Sequence, residues 1–163
     1  MFNGISFRSR LEARVAALFD ILDWEFTYEP DLGLSYYIPD FYLSDFDIIA
    51  EVKPIARFDS LTVTAAQTKI KDSGYEGEGC MLVGAIPRSD KLGRTVFGLL
   101  SKSFDPHVML PFHLTREMGH WLPCTCAEGC VETVYERTNQ LWAKYSWISC
   151  GNSVQWKAPK KRI

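Results

Sequence analysis

Apolar positions change period several times along the first hundred residues, and each change marks an element. In 9–23 (SRLEARVAALFDILD), Leu11, Val15, Leu18 and Leu22 recur at the spacing of one helix face, with Ser9 placed as its cap. Residues 24–30 (WEFTYEP) alternate and are rich in aromatics, which predicts a strand stopped by Pro30. Residues 34–43 (LSYYIPDFYL) predict a second strand, in which Pro39 marks an edge position or a bulge. Ser44-Asp45-Phe46-Asp47 is a turn, and 48–53 (IIAEVK) form a third strand closed by Pro54. A helix is predicted over 59–73, capped by Asp59 or Ser60, although its Thr and Val content weakens helix propensity. Glycines 74, 77 and 79 mark a loop, 80–86 (CMLVGAI) a buried strand, and 93–100 one further strand. Helix, three meandering strands, helix and strand predict a mixed α/β domain with a central mixed β-sheet flanked by helices.

The chain has 163 residues, enough for one domain with a real core and a short appended element. Composition shifts after about residue 104. His107, His113 and His120 and four of the five cysteines follow that point, so the chain divides into a core over 1–103 and a Cys/Trp-rich extension over 104–163 packed on it. Hydrophobic residues at 47% and charged residues at 23% give an ordinary globular composition. No apolar run reaches a membrane span, and MFNGISFRSRLEAR carries charges where a signal peptide would be apolar, so a soluble cytoplasmic protein is expected. An odd number of cysteines argues against a closed disulfide framework. The net charge of -2 does not advertise nucleic-acid binding, yet a carboxylate-rich site subtracts charge from a locally basic face.

The informative chemistry is Pro39-Asp40 followed by Glu51-Val52-Lys53. Residues two apart on a strand share a face, so Ile49, Glu51 and Lys53 project together while Ile48, Ala50 and Val52 face a core. The turn at 44–47 folds the two strands back on each other and brings Asp40 towards Glu51. Two carboxylates beside a lysine suit phosphodiester hydrolysis. Mg2+ or Mn2+ is hard and takes carboxylate, carbonyl and water oxygens, here Asp40, Glu51 and the Val52 carbonyl. Lys53 would orient or deprotonate the attacking water, or balance developing charge.

These residues resemble the PD-(D/E)XK nuclease superfamily in wording and in context. The match covers about residues 6–87. The resemblance implies a restriction-endonuclease-like fold and a metal-dependent deoxyribonuclease, with an endonuclease favoured over an exonuclease. It implies a metal-contacting glutamate on the first helix, here Glu12, and a further polar residue on the helix after the third strand, where Gln67 and Lys69 stand. The stretch SRLEAR…YEP…YIPDFYL…EVKP is similar to small phage- and bacterium-encoded nucleases and to the catalytic domain of transposon endonuclease subunits. DNA is then the expected partner, alone, as a homodimer cutting both strands, or within a recombination or transposition complex. The transposon subunits continue into a helical DNA-binding domain, from which this Cys- and Trp-rich C-terminal third departs. A non-catalytic DNA-binding or host-factor-binding module on the same fold is the alternative.

Each assignment has a plainer rival. Ser9-x-x-Glu12 fits a capping box, Asp40 can cap a turn after Pro39, and Glu51 with Lys53 can be a solvent-facing strand pair. Gln67 and Lys69 can be ordinary helix-surface residues. Cys124, Cys126, Cys130 and Cys150 could bind a structural Zn2+, with His120 replacing one of them, but C-x-C-x3-C is an unusual spacing and reduced packed thiols are the rival. Cys80 lies in an apolar strand and reads as core. Trp142, Tyr145, Trp147 and Trp156 read as core or interface residues before base-stacking ones, and the tail Lys157, Lys160, Lys161 and Arg162 as phosphate contacts or a solvated terminus.

Overall fold

The computed structural model describes residues 1–89, 91, 95–101, 109–117, 120–125 and 147–150. Helix α1 spans Arg10–Ile21 and is followed by β1 (Phe26–Tyr28), β2 (Phe41–Leu43) and β3 (Ile48–Val52). Helix α2 spans Ser60–Asp72 and is followed by β4 (Gly79–Ser89), β5 (Thr95–Ser101), β6 (Leu110–Glu117) and β7 (His120–Cys124), and residues 147–150 are helical. The seven strands form one mixed sheet in chain order. Every neighbouring pair is antiparallel except β3 and β4, which run parallel with α2 as their crossover. A parallel pair needs such a connection, because a tight turn can only reverse the chain.

The two helices pack on opposite faces of the sheet. Ile48, Ala50 and Val52 share a core with Ala13, Val15, Ala16, Leu18 and Phe19 of α1. Ile49 turns the other way, to Ile70 of α2 with Tyr37 and Cys80. This is the alternation the sequence predicts for β3, and both faces are covered, so all five of its residues are buried. Phe41 centres the α1 side. Its ring lies 5.3 Å from that of Phe19, 5.6 Å from Phe26 and 5.4 Å from Tyr28. Truncating so enclosed an aromatic typically costs about 3–5 kcal/mol.

Several expected boundaries move. The strand expected over 34–43 is only Phe41–Leu43. Positive φ at Gly33 (66°) and Tyr36 (53°) breaks the extended run, and Pro39 has no N–H to give a ladder. The strand expected over 24–30 contracts to Phe26–Tyr28, where Glu29 enters the left-handed region at φ 46°. β4 instead runs three residues beyond its expected end, to Ser89. β6 and β7 escaped the hydrophobic pattern, since Pro111 and Pro123 interrupt it; these two strands carry the same sheet past residue 104. Trp147 is buried in the α1 core, with its ring 5.9 Å from Phe97. Arg14 of α1 donates two hydrogen bonds to the Trp147 carbonyl, at 2.9 and 2.7 Å, and lies over its ring. Trp142, Tyr145, Trp156 and the basic tail lie outside the described residues. No helix among the described residues is long and apolar enough to cross a membrane.

Candidate acidic site at the end of the central hairpin

The turn at 44–47 sets the register of β2 on β3, pairing Phe41 with Ala50 and Leu43 with Ile48. Extending that register one step places Asp40 opposite Glu51. Asp40 sits just outside β2, and its Oδ2 accepts a 2.8 Å hydrogen bond from the Val52 backbone N–H. Its Oδ1 accepts from Arg8 Nη2 at 2.9 Å, and Arg8 Nε bridges onward to Glu29 at 2.6 Å. Asp40 therefore does more than cap a turn: it ties the segment before α1 to β3.

Glu51 is 4% exposed, which excludes the solvent-facing pair as its setting. Its Oε2 meets Lys53 Nζ at 2.5 Å, and its Oε1 accepts from the Tyr37 hydroxyl at 2.6 Å. A buried carboxylate costs several kcal/mol unless it is paired and hydrogen-bonded, and these two partners meet that demand. Lys69 of α2 lies with its ammonium 4.5 Å from the Tyr37 ring centroid, so α2 reaches the same group from above.

Burial is the main force on the protonation of Asp40 and raises its carboxyl above the usual range. The Val52 N–H opposes this, the charges of Glu51 and Glu12 reinforce it, and Arg8 opposes it. Burial likewise pushes the Tyr37 hydroxyl well above the ordinary tyrosine value, with Glu51 adding to the effect, so Tyr37 is a neutral donor. Cys80, on the strand next to Glu51, is raised to about 11 by burial and then by the Glu51 charge.

Glu12 has the capping role in full. Ser9 Oγ accepts from the Glu12 N–H at 3.0 Å, and Glu12 Oε2 accepts from the Ser9 N–H at 3.3 Å. The same oxygen takes the Arg8 N–H at 3.1 Å and the Tyr28 hydroxyl at 2.6 Å. Its charge acts on Asp40, while its hydrogen bonds run to the helix start and Tyr28.

Gln67 is 8% exposed, and its Oε1 is buried without a hydrogen-bond partner. It lies one turn before Ile70 on the same helix face. Because the crossover helix runs against the parallel strands, one turn back from Ile70 leads towards the end of β3 that carries Glu51 and Lys53. Gln67 is thus a buried residue and not a surface one.

Asp40, Glu51, Val52 and Lys53 come together, then, while Glu12 stands at the border of the group. Arg8, Tyr28 and Tyr37 complete it and were not singled out from the sequence. Arg8 precedes the helix it serves, and Tyr37 lies in a segment read as strand that the structure leaves outside the sheet, so neither was marked by its element. Among the described residues, no three or more His, Cys, Asp or Glu side chains stand close enough to hold a metal ion. Of the residues considered for zinc, Cys124 and Cys150 are buried, His120 is exposed, and Cys126 and Cys130 lie outside the described residues. No protein-family model matches the chain, and no curated protein or solved structure matches it either.

Proposed function

We propose that the protein is a metal-dependent nuclease of restriction-endonuclease-like fold, hydrolysing phosphodiester bonds in DNA at the Asp40–Glu51–Lys53 site. One observation carries this reading: a buried acid, Glu51, is kept beside Lys53 and opposite Asp40 at the end of the central hairpin. A protein seeking stability alone would place apolar residues there. The order α1, three-stranded meander, α2 and β4 supports the fold assignment.

The donor chemistry fits Mg2+ or Mn2+, which favour hard oxygens and keep several waters. Asp40, Glu51 and the Val52 carbonyl would hold the ion. Gln67 Oε1, buried without a hydrogen-bond partner, would supply an acceptor for a water held beside such an ion. A divalent ion there supplies charge neutralisation of the scissile phosphate and a more acidic water. The chain's own groups do the rest. Tyr37 orients Glu51, Lys53 positions the attacking water and balances charge on the phosphate, and burial excludes bulk solvent.

The test is cleavage of plasmid and branched DNA with Mg2+ or Mn2+, comparing wild type with Asp40→Ala and Lys53→Ala. Loss of about 100-fold or more in each variant is expected. Equal activity in all three would exclude the site. One observation favours a second reading, a non-cutting DNA- or host-factor-binding module: all four oxygens of Asp40 and Glu51 already accept protein hydrogen bonds. Calorimetric titration with Mn2+ separates the two, because a module of that kind takes up no ion at Asp40 and Glu51.

A further inference from the structure

A cavity of about 270 Å³ opens beside the acidic site, between the segment that leaves Lys53 and strands β4 to β6. Arg57 and Phe58 form one wall, Gly84, Ile86 and Arg88 the floor and far edge, and Leu99 the side on β5. Leu99, one of the lining residues, lies on the sheet face that carries the candidate site. Glu51 pairs with Leu82, and Leu82 pairs with Leu99, and paired residues share a face. The β4–β5 register shifts between Val83 and Arg88, and Gly84, Ile86 and Arg88 line the cavity along that stretch. With strands about 4.8 Å apart, Leu99 stands roughly 10 Å from Glu51 across the sheet. Backbone bonds hold the wall in place: Lys53 N donates to Val83 O and Ala85 N to Ile55 O, both at 2.9 Å. Gly84 lets the Phe58 ring lie against β4, because a Cβ there would sit 3.2 Å from both Phe58 Cε2 and the Ile55 carbonyl oxygen.

An aromatic wall, an apolar floor and two guanidinium groups match one nucleotide, with a base for the first two and phosphate for the third. We propose that this cavity holds an unpaired nucleotide of the DNA strand next to the bond being cut, its base against Phe58 and its phosphates on Arg57 and Arg88. The proposal rests on the nuclease reading for its substrate. Within a duplex the base is stacked and cannot enter a lateral cavity without flipping, so the site selects single strands, flaps or frayed ends. Arg57 and Arg88 are solvent-exposed and Phe58 is partly so, which leaves all three open to an incoming strand.

Fluorescence anisotropy in EDTA, with a labelled ten-nucleotide oligothymidylate and a blunt hairpin duplex at fixed salt, reads the cavity without cleavage. Wild type is expected to bind the single strand at least tenfold tighter than the duplex. Phe58→Leu, which keeps charge and apolar bulk but removes the ring, should weaken single-strand binding about tenfold, and Arg57→Ala/Arg88→Ala at least as much. Circular dichroism checks that each variant folds. Equal affinity for the two DNAs, or a Phe58→Leu variant that binds the single strand like wild type, overturns the proposal. The nuclease reading fails separately: binding that depends on Phe58 in a protein that cuts no DNA with Mn2+ leaves the cavity standing and removes the catalysis.

Discussion

Arg8 and Asp40 are 32 positions apart in the chain and meet at 2.9 Å, with the guanidinium on the carboxylate oxygen left over from the bond to Val52. A cation therefore already stands where a divalent ion would approach Asp40. The Arg8 side chain is 60% exposed, so solvent weakens the pair to roughly 1 kcal/mol or less. Arg8→Ala should accordingly tighten Mn2+ binding at pH 8 by about fivefold at most, the equivalent of that energy. Calorimetry checks this, and weaker binding in the variant would show that Arg8 supports the ion.

Glu12 separates a cap from a metal ligand by substitution. Glu12→Gln keeps an oxygen for the Ser9 and Arg8 N–H groups and should unfold within about 0.5 kcal/mol of wild type. Glu12→Ala should lose about 1–2 kcal/mol in urea denaturation. If Glu12→Gln keeps its stability and loses cleavage 100-fold, the carboxylate charge acts in the reaction. If it keeps both, the helix start is its whole task.

Tyr37→Phe deletes one hydroxyl and leaves Glu51 Oε1 without that donor. Hydrogen bonds to buried charges are worth about 1.5–3 kcal/mol, so the denaturation midpoint should fall by a corresponding amount. A neutral amide needs that donor less than a buried carboxylate does, so the loss should shrink in Glu51→Gln, and a double-mutant cycle measures the coupling. Additive losses would show that the contact contributes nothing.

The Cys80 thiol gives a pH signature. Its folded value of about 11 exceeds the reference value of 9.0, through burial first and Glu51 second. The folded state holds the proton longer than the unfolded chain, so the contribution is complete below pH 9 and is lost as pH rises towards 11. Cys80→Ala should therefore lose less stability between pH 8 and pH 10.5 than wild type, by about 1–2 kcal/mol. Denaturation curves at the two pH values check this, and parallel losses would count against it. In native protein at pH 8, alkylation of Cys80 should also be slow.

Much of the fold and half of the site were legible from the chain. The period-two pattern of IIAEVK separated the α1 face from the α2 face of β3, and Ser9, Glu12 and Asp59 announced the helix starts, because these signals depend only on local geometry. Pro39-Asp40 and Glu51-x-Lys53 were visible for the same reason, with only a short turn between them. Arg8, Tyr28 and Tyr37 were not, since each reaches its carboxylate through space from a segment 14 to 32 positions away in the chain. Nor was the burial of Glu51, which depends on Tyr37 and α2 closing over β3.

The sequence by itself determined which residues alternate, cap and turn, and hence that Asp40 and Glu51 belong to one hairpin. Only the tertiary structure decided that Glu51 is buried, that Arg8 sits on Asp40, that Gln67 points a lone acceptor inward, and that a cavity flanked by Arg57 and Arg88 opens beside them. The physical reason is range. Backbone periodicity and capping act within a few residues, whereas desolvation and charge pairing depend on what the rest of the chain brings alongside.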